Sequence, residues 1–232
     1  MLDDDPLIVW ARQDGRPGVR VWSRAGAVAV ACPDLSRRDR LAVQGDPAAV
    51  AALLAGDVLP AVGPGYRPVG DEELIAAVAE RVPGVRMAGR FGWMDVTAPV
   101  TPGCGEWLAG TGEVTRLLEI AFPDSYAWPG GNGVRRWAGI RDGGELRATA
   151  AEAWSSRDIG FVAGVATHPA VRGRGLAAAL CGFVTNDLLR EKARVALFVD
   201  YWNTAALRTY RRLGFGLRPL GAATQVTGPA AP

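Results

Sequence analysis

The segment VATHPAVRGRGLAAAL, Val165–Leu180, decides how this 232-residue chain folds. A β-branched run ends at Thr167, and a short loop carries Arg172, Gly173, Arg174 and Gly175. A helix rich in Ala and Leu then opens with no polar residue in its first turns. Such a start leaves the first backbone N–H groups without side-chain caps. The two glycines let another backbone or a phosphate approach without Cβ obstruction. The helix dipole and two loop arginines add positive character, better matched to a pyrophosphate than to a single carboxylate. Taken alone, the loop is equally compatible with a glycine turn capping a buried helix.

Upstream, Val134–Arg141 and Glu145–Trp154 flank Asp142-Gly143-Gly144, a hairpin signal because glycines supply the positive φ of tight turns. A third strand, Ile159–Thr167, leads into the loop. Downstream the pattern predicts a helix over about Gly175–Glu191, a strand at Val195–Asp200, a helix over about Thr204–Leu213 and a final strand near Phe215–Leu220, with a frayed tail from Gly221. Ahead of the hairpin, Val114, Leu117, Leu118 and Ala121 mark an amphipathic helix. It is followed by a loop rich in aromatics and glycine, Phe122–Gly133. A competing reading exists: Gly173-x-Gly175-x-x-Ala178, with Asp200 after the next strand, fits a dinucleotide fingerprint and an NAD(P)-dependent oxidoreductase. Five residues separate strand from glycine, however, and the preceding strands are joined by hairpins rather than helices, so this reading ranks second.

Two motifs carry a family resemblance. Arg172-x-x-Gly175-x-Ala177, preceded by Thr167-x-Pro169, resembles the acyl-CoA signature of the GNAT acetyltransferase superfamily. Asn203-x-x-Ala206-x-x-x-Tyr210-x-x-x-Gly214-Phe215 resembles that family's second signature. The resemblance covers roughly Gly112–Leu220. It implies an α/β (α+β) fold, a mixed, mostly antiparallel sheet flanked by helices, acetyl-CoA as co-substrate, no metal, and transfer to a small-molecule or peptide amine. In that family a pantetheine arm bonds the backbone of the splayed third strand, here Val165, Ala166 and Thr167. The amides across Gly173, Arg174, Gly175, Leu176 and Ala177 would hold the pyrophosphate, with Arg172 and Arg174 close by. Asn203 would bond the pantetheine, with Ala206 beside it, and Tyr210 would sit by the thioester sulfur.

A general acid there is chemically sensible, because amine attack expels a thiolate that must be protonated. Asn203 and Tyr210, seven apart, fall on one helical face, about 20° out of line. Candidate bases are Glu152, Asp158 and Asp200, none of them singled out by the pattern. His168 reads as a loop residue. Tyr126 and Trp128 lie where the family commonly forms an acceptor wall. An idle acyl-CoA-binding regulator is the alternative from another class.

Composition bounds the rest. The chain is 49% hydrophobic with net charge +2, which excludes disorder. A single histidine excludes His-rich zinc sites. All basic residues but Lys192 are arginine and none form a long run, so no nucleic-acid footprint is read from them. Cys32, Cys104 and Cys181 make neither a disulfide framework nor a metal pattern. With an acidic start and no apolar run near the roughly 20 residues that span a bilayer, the expectation is a cytoplasmic protein without a membrane role.

Residues 1–100 form an expected N-terminal α/β domain, 101–225 the acyltransferase domain and 226–232 a flexible tail, with the break in Thr97–Gly105. In the first part Leu7–Ala11, Val19–Trp22 and Ala27–Ala31 read as strands, Asp46-Pro47 opens a helix to about Leu54, Asp71 opens another, and Val85–Val96 is a strand. This part is open to three readings: a degenerate second copy of the same fold, an acceptor-specificity domain, or a dimerisation module that would give a homodimer. No internal repeat is visible in the residues themselves.

Overall fold

The computed structural model describes residues 2–226. The chain forms two compact units, one holding the residues up to Trp93 together with those from Arg218 on, the other Met94–Leu217.

The first unit opens with a helix, α1 (Pro6–Arg12), not the strand that the apolar run suggests. Asp5 accepts from the N–H groups of Leu7 (2.9 Å) and Ile8 (3.3 Å), and Pro6 stands at the first helical position, which leaves no strand geometry available. Strands β1 (Arg20–Arg24), β2 (Ala27–Cys32) and β3 (Arg40–Gly45) make an antiparallel meander. Helix α2 (Pro47–Leu53) continues through one π turn into α3 (Leu59–Val62), and β4 (Arg67–Asp71) returns parallel to β3. Helix α4 (Glu72–Arg81) and strand β5 (Val85–Val96) follow. The Asp71 carboxylate accepts from Arg218 Nε (2.6 Å) and Nη2 (3.0 Å) instead of capping α4.

The second unit begins with the two-residue β6 (Glu106–Trp107) and α5 (Gly112–Ala121). Its meander is β7 (Val134–Asp142), β8 (Glu145–Ala153) and β9 (Ile159–Thr167), antiparallel throughout. Gly143 and Gly144, at φ +63° and +84°, make the two-residue turn between β7 and β8. Helix α6 (Leu176–Leu188) leads to β10 (Arg194–Val199), which runs parallel to β9, and α7 (Thr204–Arg212) leads to β11 (Gly216–Gln225). Leu180, Val184 and Leu188 of α6 bury against Ala148, Ala150 and Val162 of the sheet and Leu197 and Val199 of β10.

The order helix, three-strand meander, helix, parallel strand, helix, strand occurs in both halves of the chain. The repeat lies in connectivity and pairing, which residue identity does not display. Strand β11 runs through Gln225 where a frayed tail was expected. Its residues Leu220–Ala222 pair antiparallel with Asp71–Val69 of β4, a long-range contact that local sequence cannot announce. The tail expected at 226–232 lies outside the described residues from position 227 on. Among the described residues no helix is long and apolar enough to cross a membrane.

Candidate functional site

Strands β9 and β10 pair at three positions only, Ile159 with Arg194, Gly160 with Val195 and Phe161 with Ala196. Beyond Phe161 they part, so Val162–Thr167 is paired on its β8 side and open on its β10 side. An extra residue on β9 shifts the register between Thr149 and Ala151 of β8, which makes a bulge at Gly164, φ +60°. A Cβ on Gly164 would meet Trp137 at 2.7 Å and Ala127 Cβ at 3.2 Å. The aromatic loop between α5 and β7 therefore closes over the bulge from one face, with Tyr126 and Trp128 on either side of Ala127. A lone glycine inside an apolar strand was the available signal for this bulge.

At the end of β9 the Thr167 Oγ1 is buried with no hydrogen-bond partner among the described residues. His168 Nδ1 accepts from the Ala170 N–H (3.3 Å) and shapes one short 3-10 turn. Gly173 and Gly175 follow at φ +80° and +81°, and a Cβ on either would meet nothing within 4 Å. Their glycine identity is thus not required by packing. The first backbone bond of α6 is Ala179 N–H to Gly175 O (3.0 Å), and no side chain caps the helix. The amides of Leu176–Ala178 therefore face outward without intrahelical acceptors. Arg174 makes an exposed pair with Asp142 (3.0 Å). The Arg172 guanidinium donates to Thr167 O (3.2 Å) and Ala121 O (3.0 Å), tying the loop to the ends of β9 and α5.

The corresponding position in the first unit, between β3 and α2, is built differently. There Asp46 Oδ1 accepts from the N–H groups of Ala48 and Ala49, both at 3.0 Å. A carboxylate already fills the positive end of α2.

On α7, Asn203 Oδ1 caps the helix by accepting from Ala206 N–H (3.1 Å), which leaves its amide NH2 as a donor. Tyr210 is 7% exposed, with its ring 5.9 Å from that of Phe215. Its hydroxyl is hydrogen-bonded to Cys181 on α6, a partner that no spacing in the chain points to. Burial raises the Tyr210 pKa well above the ordinary phenol value and pushes the Cys181 thiol up to about 12. Both groups stay protonated at neutral pH.

The three carboxylate candidates stand in different surroundings. Glu152, 3% exposed, accepts from Arg136 Nε (2.7 Å) and Arg135 Nη1 (3.3 Å), one arginine on each carboxylate oxygen. Arg136 also reaches Asp187 (3.2 Å) and lies 3.7 Å over the Trp107 ring, so Glu152 belongs to a packed charge network. Asp158 stands at the closed end of the β9–β10 pair, where its carbonyl accepts from Arg194 N–H (3.2 Å). Asp200 is exposed at the end of β10. Among the described residues no cluster of three or more His, Cys, Asp or Glu could hold a metal ion.

A mixed, largely antiparallel sheet flanked by helices, with β9 and β10 as a parallel pair, matches GNAT-like structures. Residues 106–215 match the acetyltransferase (GNAT) family. A mycothiol acetyltransferase from Mycolicibacterium gilvum is 46% identical over 68 residues, 27% of this chain and 22% of that protein. The match thus spans about a fifth of that relative's length. Two solved structures share the fold across nearly the whole chain. A GCN5-related N-acetyltransferase from Kribbella flavida has TM-score 0.67 and 21% identity, covering 95% of each chain. A GNAT-family acetyltransferase from Novosphingobium aromaticivorans has TM-score 0.60 and 23% identity, covering 97% of each.

Proposed function

We propose that the protein is a cytoplasmic N-acyltransferase that moves an acetyl group from acetyl-CoA to an amine by direct attack in one ternary complex. The observation that carries this reading is the open edge of Val162–Thr167, continuous with an uncapped, glycine-lined helix start. The pantetheine arm pairs with the open edge as an added strand, and Thr167 Oγ1, buried without a partner, is a polar group awaiting one. The pyrophosphate takes the amides of Gly173–Ala177, while Arg172 holds the loop in shape. Asn203 offers its NH2 group to the pantetheine amide.

The acceptor nitrogen attacks the thioester carbonyl carbon, the carbon–sulfur bond breaks, and the departing sulfur takes a proton from Tyr210 Oη. The amine arrives neutral; its surplus proton leaves to water, since Glu152 is committed to two arginines, and Tyr210 regains a proton from water, so the turnover releases no net proton. Holding both reactants in one complex supplies much of the rate, about 7–11 kcal/mol for well-oriented groups. The likeness to a mycothiol acetyltransferase supports a small-molecule acceptor, and the loop around Tyr126 and Trp128 supplies its wall. Three free cysteines support a reducing compartment. We read the first unit as a copy of the fold whose cradle Asp46 has closed, so one donor binds per chain.

The test is release of free thiol from acetyl-CoA across a panel of amines, with thermal shifts by CoA, acetyl-CoA, NAD and NADP alongside. Amine-dependent release supports the proposal. Binding of CoA with no release under any amine would make the protein an idle acyl-CoA binder. Stabilisation by NAD or NADP alone would return the dinucleotide reading, against which the antiparallel β7–β8–β9 meander already argues.

A further inference from the structure

Trp202 is 76% exposed, more than any other large hydrophobic residue among those described. It does not hang on a loose loop. Asn203 N–H donates to Asp200 O (3.0 Å), Thr204 N–H donates to Trp202 O (2.9 Å), and Asn203 caps the helix that follows. A short pinned turn therefore holds an indole out in water, an arrangement that packing within the chain does not explain. Position supplies the explanation. Strands β9 and β10 are parallel, so their C-terminal ends lie on one edge of the sheet. From Thr167 the chain enters the glycine loop, and from Val199, on the neighbouring strand, it enters the turn that bears Trp202.

We infer that Trp202 is the stacking platform for the adenine of the donor. The inference rests on the reading of the β9–β10 cleft as the acyl-CoA site. In coenzyme A the pyrophosphate lies between pantetheine and adenosine 3′-phosphate. With pantetheine along β9 and the pyrophosphate at Gly173–Ala177, the nucleoside emerges on the edge where Trp202 stands. A flat indole face offered to solvent is what a purine ring needs, and stacking tolerates the small displacements that hydrogen bonds do not. Arg208, one turn into α7 and exposed, forms no ion pair among the described residues and adds positive charge near a nucleotide bearing a 3′-phosphate. The consequence is donor selection. The protein recognises a free nucleotide thioester, and a phosphopantetheine arm carried on a protein lacks the group that Trp202 holds.

The experiment measures dissociation constants of acetyl-CoA and of acetyl-4′-phosphopantetheine, which lacks adenosine, for the full chain and for Trp202→Ala and Trp202→Phe. The expected result is a loss of about 10- to 100-fold for acetyl-CoA in Trp202→Ala, the range given by aromatic stacking on a base. Affinity for acetyl-4′-phosphopantetheine should be unchanged, and Trp202→Phe should recover part of the loss. Equal weakening of both compounds would show that the turn merely supports the cleft and would overturn the inference, as would no effect on either. If the unaltered chain binds neither compound, the reading of the cleft itself fails, a result distinct from a failure at Trp202.

Discussion

Two glycines with almost the same backbone angle separate a ligand-bearing role from a packing role. Gly164 and Gly175 both have positive φ, +60° and +81°. Alanine at either position carries the left-handed backbone cost, about 1–2 kcal/mol. At Gly175 the cost ends there, because the new Cβ meets nothing within 4 Å. At Gly164 the Cβ falls 2.7 and 2.9 Å from Trp137 atoms and 3.2 Å from Ala127 Cβ, which adds about 1–3 kcal/mol of overpacking. Gly164→Ala should therefore lose about 2–5 kcal/mol in denaturant unfolding and Gly175→Ala about 1–2.

The order reverses for donor binding. A methyl group in the cradle displaces a pyrophosphate oxygen from at least one backbone amide, and a hydrogen bond to a charged group contributes about 1.5–3 kcal/mol. Calorimetric titration with acetyl-CoA should then show Gly175→Ala weakened by about 10- to 100-fold, for one lost bond of that size. Wild-type affinity in Gly175→Ala would show instead that the loop is an ordinary helix turn and holds no phosphate.

The remaining expectations concern the buried polar groups. Glu152→Gln should cost about 1–3 kcal/mol, below the figure for a fully buried pair because Arg136 is partly exposed, and should leave turnover per folded molecule intact. A stable variant with turnover reduced by an order of magnitude would restore Glu152 as the base. Tyr210→Phe should reduce turnover by about 100-fold or more while acetyl-CoA affinity changes little. An indifferent rate would place the acid elsewhere. Folded Tyr210 and Cys181 both titrate higher than in the unfolded chain, so their contribution to stability is complete below pH 9.0, the free thiol value, and falls as pH rises toward about 12. Cys181→Ala should flatten that alkaline decline in unfolding midpoints, and an unchanged slope would remove Cys181 as a contributor.

The second unit was legible because its signals are local. Paired glycines mark the hairpin turn, loop glycines mark the helix start, and the spacing of Asn203 and Tyr210 marks one helical face. In the first part β1, β2 and β5 were legible as strands, whereas β4 and the far half of β11 lie in residues that local rules read as breakers. Strand β4 contains Pro68 and Gly70, and β11 contains Pro219 and Gly221. The two glycines are there for close approach: a Cβ at Gly70 would stand 2.7 Å from Val43 O, and one at Gly221 would stand 3.0 Å from Ile75 Cβ. Helix α1 was misread for the opposite reason, an apolar run strong enough to mask the Asp5-Pro6 start. In the site, backbone groups were placed by motif, whereas the tasks of side chains depended on distant partners. Arg172 meets Ala121, Glu152 meets Arg136 and Tyr210 meets Cys181, and no spacing rule joins those pairs.

Amide hydrogen exchange of the full chain, with and without acetyl-CoA, reads donor binding at β9 and the glycine loop residue by residue. New protection is expected at Val162–Thr167 and Gly173–Ala177, with no change at Ala48 and Ala49, whose amides Asp46 already holds. Protection around α2, or none along β9, would contradict donor binding at this cleft.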